Sequence, residues 1–155
     1  MVKILFICHG NICRSPMAEF VLKDMVEKAG MGDNFYIASA ATSYEEIGNP
    51  VHYGTAAILD GLGISYSKKR AVHLEKTDYK KYDYLVCMDN ANVRNTLHIV
   101  GDDPENKIHK LLEFADSFKD VADPWYTGDF DTTYKDVLSG CEGLLKYIEK
   151  KDGLK

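Results

Sequence analysis

The amino-acid sequence predicts an α/β fold, a three-layer sandwich in which a parallel sheet lies between helices on both faces. Three observations predict it. Val2 to Ile7 is a nearly continuous apolar run, as expected of a strand covered on both sides. Strand-like and helix-like segments then alternate along the chain, the order produced by right-handed crossovers between parallel strands. The last of them, Tyr134 to Lys150, carries Val137, Leu138, Cys141, Leu144, Leu145 and Ile148 at helical spacing.

The first strand runs into a polar turn containing Gly10 and Asn11. Ser15 is then placed to cap a helix with Pro16 at its first position, and Met17, Phe20, Val21, Met25 and Val26 mark its apolar face as far as Gly30. Phe35 to Ala41 reads as the second strand. The segment after Pro50, with Ala56, Ala57, Leu59 and Leu62, reads as a helix ended by Gly63. Tyr82 to Met88 reads as the third strand, Ala91 to Val100 as a helix, and Ile108 to Phe114 as the fourth strand. The least regular stretches are Ser43 to Val51 and Glu113 to Asp131.

Length and composition narrow the function classes. A chain of 155 residues with 45% apolar and 28% charged residues suits one globular domain, residues 1–155, with a full core. The net charge of -5 argues against nucleic acid as a partner, so Lys68-Lys69-Arg70 and Lys80-Lys81 read as solvated surface. The opening apolar run is too short to span a membrane and lacks a cleavage site, so no membrane or export role is expected. Cys8, Cys13, Cys87 and Cys141 match no common zinc spacing. Reduced thiols in the cytoplasm are the simplest reading.

The chemistry concentrates in Cys8-His9-Gly10-Asn11-Ile12-Cys13-Arg14-Ser15-Pro16. A Cys six residues before an Arg is weak evidence alone. Here the pair spans a strand end and a helix start, where successive amides and the helix dipole create an anion site. Gly10 lacks the Cβ that would block a tight curl, and Asn11 tolerates a left-handed backbone. The same field favours a thiolate, making Cys8 the expected nucleophile. Arg14 offers a planar fork for two phosphoryl oxygens, and the amides of residues 9 to 13 complete the ring. Ser15 is placed to hydrogen-bond the Cys8 sulfur, in addition to or instead of capping. Cys13 has two readings, a small residue packed under the loop or a redox partner for Cys8.

A leaving group needs a proton. Asp123-Pro124-Trp125-Tyr126 places an acid in a proline-stiffened loop beside two aromatic rings, which suits a phenolic leaving group. Asp123 is the expected acid and, in a second step, the base.

Four motifs in this order and spacing carry a family resemblance: the Cys8 to Pro16 segment, Ser39-Ala40-Ala41-Thr42, Cys87-Met88-Asp89, and Asp123-Pro124 before two aromatics. The chain resembles the low-molecular-weight protein tyrosine phosphatases from about Lys3 to its last helix. The resemblance implies a four-stranded parallel sheet in the order 2-1-3-4, no metal or organic cofactor, a monomer, and hydrolysis of phosphotyrosine proteins through phosphocysteine, with inorganic phosphate or other oxyanions as ligands. It makes Cys8 the nucleophile, Arg14 the clamp and Asp123 the acid and base. It gives Asn11 and Ser39 a shared task in shaping the loop, makes Trp125 and Tyr126 an aromatic wall, and puts Tyr44 or Glu45 across the entrance. Asp89 is either a hydrogen-bonding residue at the site or a helix N-cap. His9 and Trp125 depart from the residues common in the family.

Two other readings use the same loop. Thiol-dependent arsenate reduction needs a further cysteine pair beyond the central strand, where this chain has only Cys87. A phosphocysteine carrier needs neither a guanidinium nor an acid, and both Arg14 and Asp123 are present.

Overall fold

The computed structural model describes residues 1–153. Its sheet is built from β1 (Val2–Cys8), β2 (Phe35–Ala41), β3 (Tyr84–Cys87) and β4 (Ile108–Lys110). The strand order is β2-β1-β3-β4, with every pairing parallel. Helices α1 (Arg14–Lys28), α2 (Tyr53–Gly61), α3 (Asp78–Lys81), α4 (Asn90–Val100), α5 (Pro124–Thr127) and α6 (Phe130–Asp152) surround it. The expected fold class and strand order are those observed.

The continuous apolar character of β1 has a direct cause. Ile4 and Phe6 pack with Met17, Leu22, Val137, Cys141 and Leu144 on one face, while Leu5 and Ile7 pack with Leu74, Leu85 and Val100 on the other. Both sides of the strand are dry, so no position is free to be polar except Lys3 near its start. Among the described residues no helix is long and apolar enough to cross a membrane.

Several boundaries differ from expectation, and four of the differences have a clear local cause. Helix α1 starts at Arg14, with Cys13 as its N-cap and no side-chain cap. Ser15 is thus inside the first turn, where its hydroxyl turns toward Cys8, and Pro16 is tolerated because first-turn amides have no intrahelical partner. Strand β3 begins at Tyr84, because the Tyr82 amide bonds Asp78 and closes the short α3. Strand β4 ends at Lys110: Glu113 accepts the Lys110 amide at 2.8 Å and winds Leu111–Ala115 into a 3-10 turn. Helix α6 starts at Phe130 rather than Tyr134, since Asp129 caps it through the Thr132 amide at 3.0 Å.

Candidate active site

The loop after β1 closes on its own cysteine. Cys8 is pinned in the sheet opposite Ala41, and the Thr42 amide donates to its carbonyl at 3.0 Å. Asn11 then takes φ 60°, the left-handed region, which turns its own amide back to the Cys8 sulfur at 3.3 Å. The Ser15 hydroxyl lies 2.9 Å from the same sulfur. Cys8 is only 4% exposed, so these polar contacts act in a poorly solvated place.

Asn11 fastens the loop from within. Its side-chain amide donates to Ser15 Oγ at 2.8 Å and to Ser39 Oγ at 2.9 Å, and its oxygen accepts from the Val72 amide at 3.1 Å. Behind it stands a charged group that the sequence reading did not single out. Ser39 donates to Glu19 Oε1 at 2.6 Å, and Glu19 is buried between Lys23 at 2.6 Å and Lys69 at 3.7 Å. Lys69 also donates to the Ser39 carbonyl at 2.9 Å. Burial lowers the Lys69 pKa and Glu19 opposes that shift. One signal was available: Glu19 lies on the inward face of α1, where a carboxylate needs a partner.

Arg14 is 4% exposed and held on three sides. One guanidinium nitrogen lies 2.9 Å from Asp89 Oδ2 and donates to the Val121 carbonyl at 3.1 Å; the other lies 3.4 Å from Asp123 Oδ2. Burial works against its charge, but Cys8, Asp123 and Asp89 outweigh burial and push its pKa up. Asp89 thus meets both of its alternatives, since it also caps α4 through the Asn92 amide at 2.7 Å. Asp123 caps α5, accepting the Trp125 amide at 3.0 Å.

These groups line a cavity of about 360 Å³ whose wall includes Cys8, His9, Gly10, Ile12, Cys13, Arg14, Asp89 and Asp123, with Trp125 and Tyr126 at its edge. Both aromatic rings are mostly exposed. His9 pairs with Glu45 across the mouth, and Glu45 and Glu46 belong to the wall. Tyr44 does not: its ring stacks on His73 with centroids 3.8 Å apart. Of the two alternatives for the far side of the entrance, the wall contains Glu45. Asn92 and Asn95 of α4 also line it, and no sequence motif had marked them. Cys13 is a free thiol whose pKa is pushed up to about 12, chiefly by burial and then by the nearby Cys8 and Asp123. Among the described residues no group of three or more His, Cys, Asp and Glu could hold a metal ion.

A buried thiol and a guanidinium stand at the two ends of one loop, with a carboxylate beside them, an arrangement whose chemistry suits an oxyanion. The family model described as low molecular weight phosphotyrosine protein phosphatase matches residues 3–153. The low molecular weight protein-tyrosine-phosphatase YfkJ of Bacillus subtilis is 37% identical over 156 residues, covering 99% of this chain and all of the relative. The YfkJ crystal structure superposes with a TM-score of 0.92 at 39% identity, covering 97% of this chain and 96% of that one. The crystal structure of SP-PTP, a low molecular weight protein tyrosine phosphatase from Streptococcus pyogenes, gives 0.88 at 41% identity over 99% and 97% of the two chains. The chain belongs to the low molecular weight phosphotyrosine protein phosphatase family.

Proposed function

We propose that this chain hydrolyses phosphotyrosine in proteins, and small aryl phosphates, through a phosphocysteine intermediate on Cys8. The observation that carries the reading is the meeting of Cys8, Arg14 and Asp123 on one cavity, with Arg14 in contact with Asp123. In the first step the Cys8 thiolate attacks phosphorus in line and the bond from phosphorus to the phenolic oxygen breaks. Protonated Asp123 gives its proton to that oxygen. Arg14 and the loop amides hold the three equatorial oxygens as charge redistributes. In the second step Asp123, now a carboxylate, takes a proton from water; the water oxygen attacks phosphorus, the sulfur–phosphorus bond breaks, and thiolate and inorganic phosphate are released.

Selectivity for phosphotyrosine over phosphoserine is supported by the depth of the sulfur and by the edge formed by Trp125 and Tyr126. A long aromatic side chain reaches a recessed thiol and stacks at the mouth; a seryl phosphate is too short for both. All the named groups come from one chain, which suits a monomer. A reducing compartment such as the cytoplasm suits a mechanism that needs Cys8 free.

Hydrolysis of p-nitrophenyl phosphate by the parent, Cys8→Ser and Asp123→Ala proteins tests this reading. Cys8→Ser should abolish turnover, and Asp123→Ala should slow it by roughly 10² to 10⁴. Activity that survives Cys8→Ser would rule the mechanism out.

A further inference from the structure

Ala122 directly precedes Asp123, and side chains of α6 hold both of its backbone polar groups. The Ala122 amide donates to Asp136 Oδ2 at 3.0 Å, and its carbonyl accepts from Thr133 Oγ1 at 2.8 Å. Thr133 and Asp136 are three residues apart and so project from one side of the helix. Thr133 is fully buried and Asp136 is 8% exposed, on a face that otherwise presents Val137, Cys141 and Leu144 to the core.

A carboxylate and a hydroxyl in such a place cost free energy unless their bonds are used. Asp136 uses one oxygen on Ala122 and offers the other to Lys119 at 3.0 Å. Thr133 also lies 3.3 Å from the Asp129 carbonyl, a longer contact of the kind any helical threonine can make. The neighbouring residue is fixed as well: the Val121 amide donates to the Met88 carbonyl at 2.9 Å, and the Val121 carbonyl accepts from Arg14. The chain therefore arrives at Asp123 with its last two peptide units clamped, although the carboxylate itself projects from an irregular segment.

We infer that Thr133 and Asp136 are positioning residues for the proton transfer by Asp123, holding Ala122 so that the carboxyl faces the leaving oxygen. The inference rests on the proposed role of Asp123 as acid. Proton donation depends on placement within hydrogen-bond reach, and small displacements are costly. Attack by Cys8 depends on the loop after β1, to which neither side chain hydrogen-bonds; their one link to it is the Val121 carbonyl, which accepts from Arg14, itself held separately by Asp89.

The two demands separate along a leaving-group series. The readout is kcat/KM for phenyl phosphate, whose leaving group needs a proton, and for 2,4-dinitrophenyl phosphate, whose leaving group does not. Thr133→Val and Asp136→Ala should lower kcat/KM for phenyl phosphate by about tenfold while changing the dinitrophenyl value less than about twofold. Thr133→Ser, which keeps the hydroxyl, should restore the phenyl value. Equal loss on both substrates, no loss on either, or a Thr133→Ser protein as slow as Thr133→Val would overturn the inference. Asp123→Asn measured alongside separates the two failures. If it discriminates between the leaving groups and the α6 variants do not, only the positioning claim falls; if it does not, the acid reading falls and takes the positioning claim with it.

Discussion

Asn11 joins three parts of the molecule through one short side chain: Ser15 in α1, Ser39 in β2 and the Val72 amide in the segment beyond α2. It does so from a left-handed backbone that Ala adopts only with strain. Asn11→Ala should therefore lower stability by about 2 to 4 kcal/mol, since it strands the buried hydroxyls and an amide that have few other partners. Urea unfolding tests this, and a loss below about 0.5 kcal/mol would show that the network contributes little. At this scale the sequence was informative where function is local. Cys8, Asn11 and Arg14 lie within seven consecutive positions, and the chemistry of each points the same way; Gly10 differs, since a Cβ there would meet nothing closer than the Glu46 side chain at 3.4 Å and the curl does not depend on its absence. Asp123 was reached through the proton a leaving group needs, whereas Ser39 needed the family pattern to connect it with that loop. The Glu19–Lys69 contact was not legible, because nothing in either segment states that they meet. For Ser15 the sequence left two tasks open, capping the helix or bonding the Cys8 sulfur. One hydroxyl can serve a helix amide or a sulfur, and only three-dimensional placement shows that it serves the sulfur.

Among the elements, α6 carries the most information. Its apolar spacing was plain in the sequence, but its glycines were not interpretable until a neighbour was known. A Cβ on Gly143 would lie 2.0 Å from the Phe114 carbonyl oxygen, and one on Gly140 would lie 2.4 Å from Leu111 Cγ. The helix thus packs directly on the backbone of the turn Leu111–Ala115. In an exposed helix, replacing Gly by Ala usually stabilises by roughly 0.5 to 1 kcal/mol. At Gly143 the sign should reverse, with a loss of about 2 kcal/mol from overpacking against a backbone that has little room to move. Thermal unfolding of Gly143→Ala checks this, and a raised midpoint would contradict the close approach. The same packing explains why the fourth strand was overestimated. Leu111 and Leu112 are apolar because they meet α6, and apolarity alone does not distinguish a strand from a turn beneath a helix.

For the whole molecule, alternation of strands and helices was enough to predict the class, because each parallel strand needs a crossover and a cover on both faces. Strand order was not contained in that alternation and entered through the family resemblance. The buried thiols and phenols give the assembled fold a pH dependence of definite sign. Burial is the leading cause in each case: Cys13 and Cys87 are raised from an ordinary 9.0 to about 12, and Tyr84 from 10.0 to about 12. In the unfolded chain these groups lose their protons first, so the folded state binds more protons between those values. Stability from this source is complete below about pH 9 and falls as pH rises toward 12. The urea midpoint should decline steadily across that window, and a flat midpoint would show that these groups are not protected by the fold.

All three scales serve one claim, that Cys8 accepts a phosphoryl group from an aryl phosphate. Trapping that intermediate tests it most directly. The Asp123→Asn protein, which keeps the nucleophile and the clamp but lacks the base for water, is mixed with p-nitrophenyl phosphate, quenched in acid and mapped by peptide mass. A single added phosphoryl group on the peptide containing Cys8, absent from the Cys8→Ser protein treated alike, is the predicted result. Release of p-nitrophenol with no phosphoryl group at Cys8, or with the group on another residue, would contradict it.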